Sequence, residues 1–403
     1  MNIFSKQPIV PAFTKNNNLI VLAADNNYAP YLGVCIESIA ENCIPSLNYD
    51  IVVLETNIHE YYKKSMNKML DKFHNISLRF YNLKLFAEYM ENLNKKTNAY
   101  FTAATYYRLY APEIFYQYDR MLYLDCDMAV VGDFSELLNI DFDDKLLIAV
   151  PDITVQGIAY SPLDKVVWRC DDYLYDTLDV KDFSKYFQAG MLVFNLKKLR
   201  EANFTEKALK KLNEMDRPRW VDQDILNSVL YKKVKYIDLK YNYTYHLEFS
   251  ENHYQIDAIK KHVTSVYNQI KKLKNNSPVI IHYTSSKKPW KYPSLKYANL
   301  WWRYACMTPF YGEIISKDLF SLLNIEIVRK NLGNKDIFSN LQTDTSSLPL
   351  IKDVINYKNN YIKYLKYKLL TKLSWGKKHS KYKQKKKVYK DKVKNARNFL
   401  REK

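Results

Sequence analysis

Short apolar runs alternate with amphipathic stretches along the first part of the chain. Four runs have the length and aliphatic composition of buried strands, at residues 19–25, 51–54, 78–81 and 121–124. Between them, apolar residues recur at helical spacing, which predicts helices over about 31–42 and 59–73 and a third that begins at Thr102. This alternation predicts an α/β fold whose sheet is mostly parallel and flanked by helices.

The pattern becomes mixed in the middle of the chain. Three further runs read as strands, at residues 146–150, 191–194 and 279–282. Helical spacing returns over 204–215 and again from Asp222. Residues 152–186 are polar and aromatic without clear periodicity, and we interpret them as an insertion.

Composition along the chain predicts four segments. They are a loosely ordered lead-in, one globular domain, a connector rich in Asn, Ser and Thr, and a basic tail, at residues 1–17, 18–315, 316–351 and 352–403. Within the tail, helical spacing relates the apolar residues Ile362, Leu365, Leu369 and Leu373. The tail therefore reads as a basic amphipathic helix.

The positive charge of the protein is concentrated in this tail. The formal net charge is +19, and the tail alone carries 19 Lys and Arg against three acids, with a basic cluster at 383–387. The remaining body is nearly neutral. Such a segment is typical of one that lies on an anionic membrane surface. A solvated tail and a nucleic-acid-binding tail are the alternatives, and we expect no nucleic acid.

Other features of composition limit the compartment and the chemistry. The five cysteines include no CxxC pair, which favours a reducing compartment. We see neither a secretory signal nor an apolar run long enough to span a membrane, so we expect a cytoplasmic protein peripherally associated with the inner face of the membrane. With only seven glycines and no Gly-rich phosphate loop, any phosphate must be held by a metal ion, by Lys or Arg side chains and by scattered backbone amides.

The candidate chemistry begins with two aspartates that directly follow a predicted strand. Asp125 and Asp127 lie at i and i+2, so in an extended backbone they point to the same side, whereas Cys126 points to the other. At the carboxyl end of a parallel strand they could hold a divalent cation and, through it, a diphosphate. Two more Asp-x-Asp pairs begin at Asp141, in an acidic turn, and at Asp222, so the motif alone is weakly specific.

Six motifs in one order make the pattern specific. They are AADNNY at 23–28, TYYRL at 105–109, LYLDCD at 122–127, FQAGMLVFNL at 187–196, WVDQDILN at 220–227 and HY…KPW at 282–290. This ordered set resembles the retaining glycosyltransferases of family 8, which include lipopolysaccharide galactosyl- and glucosyltransferases and relatives of glycogenin. The resemblance extends over about residues 17–310.

The resemblance implies a GT-A fold, with a Rossmann-like sheet, and a UDP-sugar as donor. It also implies a bound Mn²⁺, with Mg²⁺ as the alternative, held by residues that match Asp125, Asp127 and His282. Two carboxylates and an imidazole are a suitable ligand set for Mn²⁺.

The resemblance also assigns residues to the donor. Asp25 and Tyr28 match contacts to uracil and ribose, Arg108 and Lys288 match contacts to the diphosphate or donor, and Asp222 and Gln223 match the residues that hold the reacting sugar. The remaining positions of the expected donor and metal site are Ala23, Asn27, Cys126, Gln188, Ala189, Gly190 and Ser285. By composition alone, Asp25 and Asp222 could simply be helix caps and Arg108 a surface cation.

Three positions depart from the family pattern, which weakens any inference about the sugar. Asn26 replaces a common second Asp, Gln188 replaces a frequent Asn, and Ser285 replaces a frequent Gly. We expect the 152–186 insertion to shape the acceptor site. Three of its aromatic residues could stack on sugar rings or pack in the core: Tyr160, Trp168 and Tyr173.

The predicted function is transfer of galactose or glucose, with retention, from a UDP-sugar to a lipooligosaccharide- or lipopolysaccharide-type acceptor. Gln223, as a poor nucleophile, favours front-face attack over double displacement. Another UDP-sugar, or a protein or other glycan acceptor, is the alternative. A haloacid-dehalogenase-type phosphatase also places Asp-x-Asp after a strand but leaves His282 and Lys288 unexplained, and a non-enzymatic polyanion or nucleic-acid binder would act through the tail alone.

Overall fold

A computed structural model describes most of the chain in two compact units, Met1–Thr284 and Ser285–Lys403. The described residues are 9–15, 17–83, 103–162, 164, 168–215, 218–244, 253–273, 276–284, 286–317, 363 and 377–402. Ser285, nearly all of the predicted connector 316–351, and the four apolar tail positions lie outside them. Residues 1–8 of the predicted lead-in also lie outside them.

The described part of the first unit contains two β-sheets. The larger has seven strands in the order β3-β2-β1-β4-β7-β6-β8, and the smaller has three in the order β5-β10-β9. The strands are β1 (Asn17–Ala23), β2 (Asn48–Glu55), β3 (Ile76–Asn82), β4 (Arg120–Leu124), β5 (Met128–Val130), β6 (Leu147–Ala149), β7 (Met191–Asn195), β8 (Val234–Tyr236), β9 (Tyr243–Thr244) and β10 (Ile280–His282).

The large sheet is mostly parallel, as the alternation of strands and helices predicts. The pairs β1–β2, β2–β3, β1–β4 and β6–β8 are parallel, whereas β7 runs antiparallel to both β4 and β6. Strands β1, β2 and β4 are buried along almost their whole length. That burial explains their continuous apolar sequences, since helices cover both faces of a parallel sheet.

Thirteen α-helices lie within the described residues. They are α1 (Ala29–Glu41), α2 (Glu60–Leu70), α3 (Ala111–Ile114), α4 (Glu136–Asn139), α5 (Ile153–Tyr160), α6 (Cys170–Asp172), α7 (Leu196–Glu201), α8 (Phe204–Glu214), α9 (Val221–Leu230), α10 (His253–His262), α11 (Thr264–Leu273), α12 (Ala298–Met307) and α13 (Lys377–Glu402). The segment predicted to start a helix at Thr102 is a 3₁₀ helix, Ala103–Tyr110, which leads into α3.

The core of the first unit forms where alternate strand residues meet this 3₁₀ helix. Val21, Val52 and Tyr123 are buried in one cluster with Tyr107 and Leu109. Residues two apart on a strand share a face, so the strands present a continuous apolar surface to the helices. The packing holds the 3₁₀ helix, and with it Arg108, against the sheet.

The 152–186 segment has more regular structure than its sequence predicts. Helix α5 begins after Asp152, whose carboxylate accepts the Val155 backbone N–H at 2.9 Å. The helix buries Val155, Gln156, Gly157 and Ala159, so it has no wide polar stripe. A helix buried around most of its circumference lacks the amphipathic period by which helices are recognised.

The second unit has its own aromatic core. Trp301 is fully buried and packs against Trp290 and Trp302 with ring centroids 5.1 Å apart in each case. Helix α13 lies against α12 in this unit. Residues 377–402 of the predicted basic tail form this helix, whereas the four apolar positions on which the amphipathic helix was predicted lie outside the described residues.

A buried carboxylate joins the N-terminal segment to the edge of the large sheet. Asp50 on β2 is fully buried and accepts hydrogen bonds from the Ala12 backbone N–H at 3.0 Å and from Arg79 Nη2 at 2.6 Å. It also accepts the hydroxyl of Tyr118. The residues just before β1, predicted to be loosely ordered, are thus held by Asp50 and by burial of Ile9.

We predict that Asp50→Asn destabilises the protein. The substitution removes the charge that balances Arg79 while keeping the side-chain shape, and we expect the free energy of unfolding to fall by about 2–3 kcal/mol. Guanidinium unfolding followed by tryptophan fluorescence measures the change. The matched control is Asp179→Asn, which breaks an exposed pair with Lys181 and should leave the midpoint unchanged. Equal midpoints for both variants would contradict the prediction.

Candidate functional site

The site lies where the order of strands reverses in the large sheet. From β1 the chain proceeds to β2 on one side, whereas β4 pairs with the other side of β1. Asp25 follows β1 and Asp125 follows β4, so both lie at the carboxyl ends of neighbouring parallel strands. Ligands of open α/β sheets bind at such a switch point.

Three potential metal ligands converge at this edge. His282 Nε2 lies 3.2 Å from Asp127 Oδ1 and 3.7 Å from Asp125 Oδ2. Strand pairing explains the approach, because β10 runs antiparallel to β5 with His282 opposite Met128, the residue after Asp127. Among the described residues, the Asp125, Asp127 and His282 ligand atoms form one group within 4.8 Å, and Cys126 lies outside it.

The geometry of this group fits a divalent cation. His282 is buried, its Nδ1 lies 3.0 Å from the Asn242 side-chain oxygen, and its Nε2 is the nitrogen that faces the two carboxylates. Metal-bound histidines almost always donate their other N–H in this way. Two hard oxygen ligands and one imidazole suit Mn²⁺ or Mg²⁺ better than a soft metal.

Gly190 lets the backbone approach these ligands closely. A Cβ at this position would lie 2.2 Å from His282 Cε1 and 2.9 Å from Asp125 Oδ2. The Gly190 carbonyl in turn accepts the backbone N–H of Asp125 at 2.8 Å, which extends the pairing of β4 with β7. Any side chain here would displace His282 or Asp125, so the glycine is required by space.

Arg108 is a buried bridge between two carboxylates. Its Nη2 donates to Asp125 Oδ1 at 2.8 Å, and its Nε forms an ion pair with Asp222 Oδ2 at 3.0 Å. Nη1 donates to the Ala189 carbonyl at 2.5 Å, and the guanidinium stacks 4.1 Å from the Tyr123 ring centroid. The structure therefore places Arg108 in the site, as the resemblance implies, and shows it paired with acids there.

The electrostatics of Asp222 follow from burial. Burial raises the pKa of Asp222 to about 7, since Arg108 only partly offsets the loss of solvation and the charge of Asp125 adds to it. The pKa of Arg108 is raised by the two carboxylates despite its own burial. Asp222 is thus a group whose charge depends on the cation beside it.

Gln223 is held at both ends of its side-chain amide. Its Nε2 donates to Asp152 Oδ2 at 2.9 Å, and its Oε1 accepts the Ala189 backbone N–H at 2.9 Å. Asp152 is buried, which raises its pKa, and its other oxygen caps α5. Asp152, at the N-terminus of α5, therefore holds Gln223 against the segment 188–190.

Asp224 fastens the start of α9 to the 152–186 segment. Its two oxygens accept the hydroxyls of Tyr186 and Tyr173, each at 2.7 Å, and the Trp220 backbone N–H at 2.8 Å. These contacts surround Val221, whose φ of 49° is unusual for a β-branched residue. The strained turn positions Asp222 and Gln223, and its restraint comes from Asp224.

The residues assigned to the nucleotide lie at the end of β1. Asp25 Oδ1 accepts the backbone N–H groups of Asn27 and Tyr28 at 2.8 and 3.1 Å, just before α1, so its turn-capping role is real. Ala23 is the last residue of β1. Asn26, the departure noted above, accepts the His59 backbone N–H at 2.9 Å and so secures the loop after β2.

The structure separates the three aromatic candidates of the insertion. Tyr160 stacks on His262 with ring centroids 4.8 Å apart, and Tyr173 hydrogen-bonds to Asp224. Trp168 is 61% exposed. Lys288 is buried in the second unit, where its carbonyl accepts the Tyr292 N–H at 2.8 Å, and Ser285 lies outside the described residues.

Three residues of the site were not predicted from the sequence. Asp152 and Asn242 are isolated polar residues with no spacing relation to any motif. Asp224 belongs to the third Asp-x-Asp pair, and its position two residues after Asp222 was its only signal. The contacts within the first unit join Asp125, His282 and Arg108 to the segments 188–190 and 222–224.

Known proteins resemble this chain in sequence. Residues 19–294 match the family described as Glycosyl transferase family 8. A putative glycosyltransferase of Haemophilus influenzae is 30% identical over 228 residues, which are 56% of this chain and 63% of that protein. A lipopolysaccharide 1,2-glucosyltransferase of Escherichia coli K12 is 28% identical over 289 residues, which are 70% of this chain and 76% of that protein.

Solved structures agree in fold. The bifunctional glycosyltransferase WbbM superposes with a TM-score of 0.66 at 28% identity, covering 77% of this chain and 53% of that one. The galactosyltransferase LgtC, solved with donor and acceptor sugar analogs, has a TM-score of 0.56 at 24% identity, covering 72% and 96%. This chain thus covers less than two thirds of the Haemophilus protein and of WbbM. The predicted GT-A fold is confirmed, and the chain belongs to glycosyl transferase family 8.

Proposed function

We propose that this protein is a metal-dependent glycosyltransferase that moves a hexose, glucose or galactose, from a UDP-sugar with retention of configuration. The observation that carries the proposal is the convergence of Asp125, Asp127 and His282 at the switch point of the sheet. The same network contains Asp222 and Gln223, the residues that the family resemblance assigns to the donor sugar.

The metal site would hold the diphosphate of the donor. Asp125, Asp127 and His282 would bind Mn²⁺, or alternatively Mg²⁺, which would supply positive charge to the departing diphosphate. Arg108 orients the Asp125 carboxylate, because its guanidinium donates to Asp125 Oδ1 while Asp125 Oδ2 faces His282. Lys288 and Ser285 are proposed as further diphosphate contacts on the basis of the family motif.

The nucleoside would bind at the ends of β1 and β4. One oxygen of Asp25 is occupied by the turn before α1, and the carboxylate retains lone pairs that can accept the uracil N–H. Tyr28 would stack on the base, and Ala23 and Asn27 would line the pocket. These assignments rest on the family resemblance, and they are supported by the position of Ala23 at the end of β1 and of the other three residues directly after it.

The reaction would proceed by front-face attack. Gln223 is a poor nucleophile, and its amide is fully engaged with Asp152 and Ala189. Asp224, the next carboxylate, is bound by two tyrosine hydroxyls. The bond from the anomeric carbon to the diphosphate oxygen would therefore break as the acceptor oxygen bonds on the same face, and the diphosphate would take the acceptor proton.

The acceptor is proposed to be a lipooligosaccharide- or lipopolysaccharide-type saccharide. Support comes from the related E. coli protein, which is named a lipopolysaccharide glucosyltransferase. The exposed Trp168 belongs to the predicted acceptor side. The alternatives are a protein or another glycan as acceptor, or another UDP-sugar as donor.

The basic tail would hold the enzyme at an anionic membrane surface, beside a lipid-linked acceptor. In α13, Lys383, Lys385, Lys387, Lys390 and Lys392 are all exposed. Within the described residues, no helix is both long enough and apolar enough to cross a bilayer. Surface binding through lysines is consistent with that finding.

We predict that Asp127→Asn abolishes donor turnover. Wild-type protein with Mn²⁺ should release UDP slowly from UDP-glucose or UDP-galactose, and the variant should lose at least about 100-fold because a metal ligand is weakened. Asp143→Asn is the matched control: it makes the same change in another Asp-x-Asp pair, at a surface ion pair with Lys235. Equal losses in both variants, or no turnover of any UDP-sugar by wild-type protein, would contradict the proposal.

We predict that Asp152→Asn lowers kcat with little change in KM or stability. Asn caps helices as well as Asp, so α5 is retained, but the charge that aligns Gln223 is lost. Steady-state UDP release and thermal unfolding measure the two effects. Asp152→Ala, which removes cap and acceptor together, should also lower the unfolding temperature. A purely structural role for Asp152 would instead leave kcat of the Asn variant unchanged.

We predict that the exposed lysines of α13 bind anionic vesicles. Changing Lys383, Lys385 and Lys387 to Gln should weaken sedimentation with phosphatidylglycerol vesicles roughly 100-fold, at about 1 kcal/mol per charge. Phosphatidylcholine vesicles should bind neither protein.

The matched control for this measurement removes three lysines from α8, at positions 207, 210 and 211. It should bind vesicles like the wild-type protein. If duplex DNA binds the wild-type protein more tightly than vesicles do at the same salt concentration, the membrane assignment is wrong and the nucleic-acid alternative gains support.

A further inference from the structure

Trp168 is the most exposed of the large apolar side chains that the structure describes. Its relative exposure is 61%, in a segment that otherwise buries most of its aromatic residues. An indole ring left in water forgoes the stabilisation that burial would give. Its flat apolar face matches the C–H groups on one face of a pyranose ring, and its N–H can donate a hydrogen bond. Trp168 is thus suited to stack on a sugar.

The guanidinium of Arg219 is fixed beside this ring. Its Nη1 donates to the Trp168 carbonyl at 2.8 Å, and its central carbon lies 4.2 Å from the centroid of the Tyr173 ring. The Trp168 carbonyl accepts one of the five N–H groups that a guanidinium carries. Neither a carbonyl nor a ring balances a full positive charge, and Arg219 is exposed. The geometry therefore holds a cation in place where an anion can bind it through two parallel hydrogen bonds.

A second aromatic–cation pair in the same segment provides a comparison. Lys181 Nζ donates to the Tyr175 carbonyl at 2.9 Å and lies 3.7 Å from the centroid of the Tyr175 ring. Lys181 also forms an ion pair with Asp179 at 3.0 Å. The contacts of Arg219 within the described residues include no carboxylate. Arg219 therefore differs from Lys181 in having charge available for a ligand.

Arg219 lies beside the residues assigned to the donor sugar. It precedes Asp222 by three residues, so their Cα atoms are at most about 11 Å apart, a distance that one or two sugar rings can span. The Arg219 backbone N–H donates to the Tyr173 hydroxyl at 3.1 Å, and that hydroxyl donates to Asp224 at 2.7 Å. Tyr173 therefore ties Arg219 to α9, the helix that carries Asp222 and Gln223.

Backbone strain lies on both sides of this contact. Arg169, which directly follows Trp168, has a φ of 45°, and Val221, two residues after Arg219, has a φ of 49°. Residues other than glycine persist in this region where the surrounding structure holds them, and they cluster at ligand clamps. The π-helical turn Tyr173–Thr177 is another rare element that is frequent at functional sites. These features favour a binding site over a solvated loop.

We propose that Trp168 and Arg219 form a subsite for the acceptor. The indole would stack on a sugar ring, and the guanidinium would bind a phosphate or carboxylate group that this sugar carries. The inference rests on the proposed function and narrows its acceptor to a saccharide with an acidic sugar close to the point of transfer. An arginine suits this role better than a lysine, because its planar fork matches both anions.

The test follows Trp168 itself in full-length protein labelled with 5-fluorotryptophan, without metal or UDP-sugar. Trp168→Phe assigns the ¹⁹F resonance of Trp168. The probes are glucose 6-phosphate and glucuronate, with glucose as a ring without charge and inorganic phosphate as a charge without a ring. At least one of the two sugar acids should shift this resonance with a Kd about 10-fold or more below that of glucose, since hydrogen bonds between charged groups are the stronger ones. The tighter of the two identifies the acid group, and inorganic phosphate should bind more weakly than that sugar acid.

Substitutions of the two cations separate the subsite from general charge effects. Arg219→Gln should remove the preference for a sugar acid over glucose, and Arg219→Lys, which keeps the charge but not the fork, should retain part of it. Lys181→Gln is the matched control and should keep the wild-type preference, because Asp179 already balances that charge. Thermal unfolding establishes that each variant is folded.

Equal Kd values for glucose and both sugar acids in wild-type protein would overturn the proposal, as would an equal loss of preference in Arg219→Gln and Lys181→Gln. A Trp168 resonance that none of the probes shifts, in protein that still releases UDP from a UDP-sugar, would overturn the subsite while the transferase function stands. The expected shifts in protein that turns over no UDP-sugar would instead support the saccharide subsite and contradict the transferase function.

Discussion

The buried guanidinium of Arg108 is the interaction on which the site depends. Arg108 binds Asp125, which follows β4, and Asp222, in the first turn of α9. A single cation therefore joins the end of a strand to the start of a helix. Arg108 partly offsets the burial of Asp222, and the two carboxylates in turn stabilise the buried charge of Arg108. This mutual stabilisation explains why Arg108, which the family resemblance assigns to the donor, forms ion pairs with Asp125 and Asp222.

The rest of the site is built from restraints on the 188–190 segment. Gln188 contacts Asn242, and Ala189 contacts both Gln223 and Arg108. Gly190 lies directly beside His282. Each contact comes from a different element of the first unit. The proposed donor-sugar side and the proposed metal side therefore share one piece of backbone.

The sequence predicted six of the seven strands of the large sheet, all but the short β8, and the Asp125–Asp127 pair, because these depend on short-range periodicity. His282 and Gln223 were found only through the order of family motifs, since a lone His or Gln has no local signature. Asp152 and Asn242 were missed for a related reason: their roles arise from contacts between distant segments. Helix α5 was missed because its burial removes the polar stripe that marks most helices.

The pairing of β10 with β5 has a consequence for the order in which the protein is assembled. Asp125 and Asp127 emerge early in synthesis, whereas His282 is the last residue of the last strand in the first unit. His282 meets the two aspartates only when β10 pairs with β5. A chain that ends before β10 therefore has the two carboxylates but lacks the imidazole. Closing a loop of this length costs conformational entropy, so the complete ligand group exists only once β10 has paired with β5.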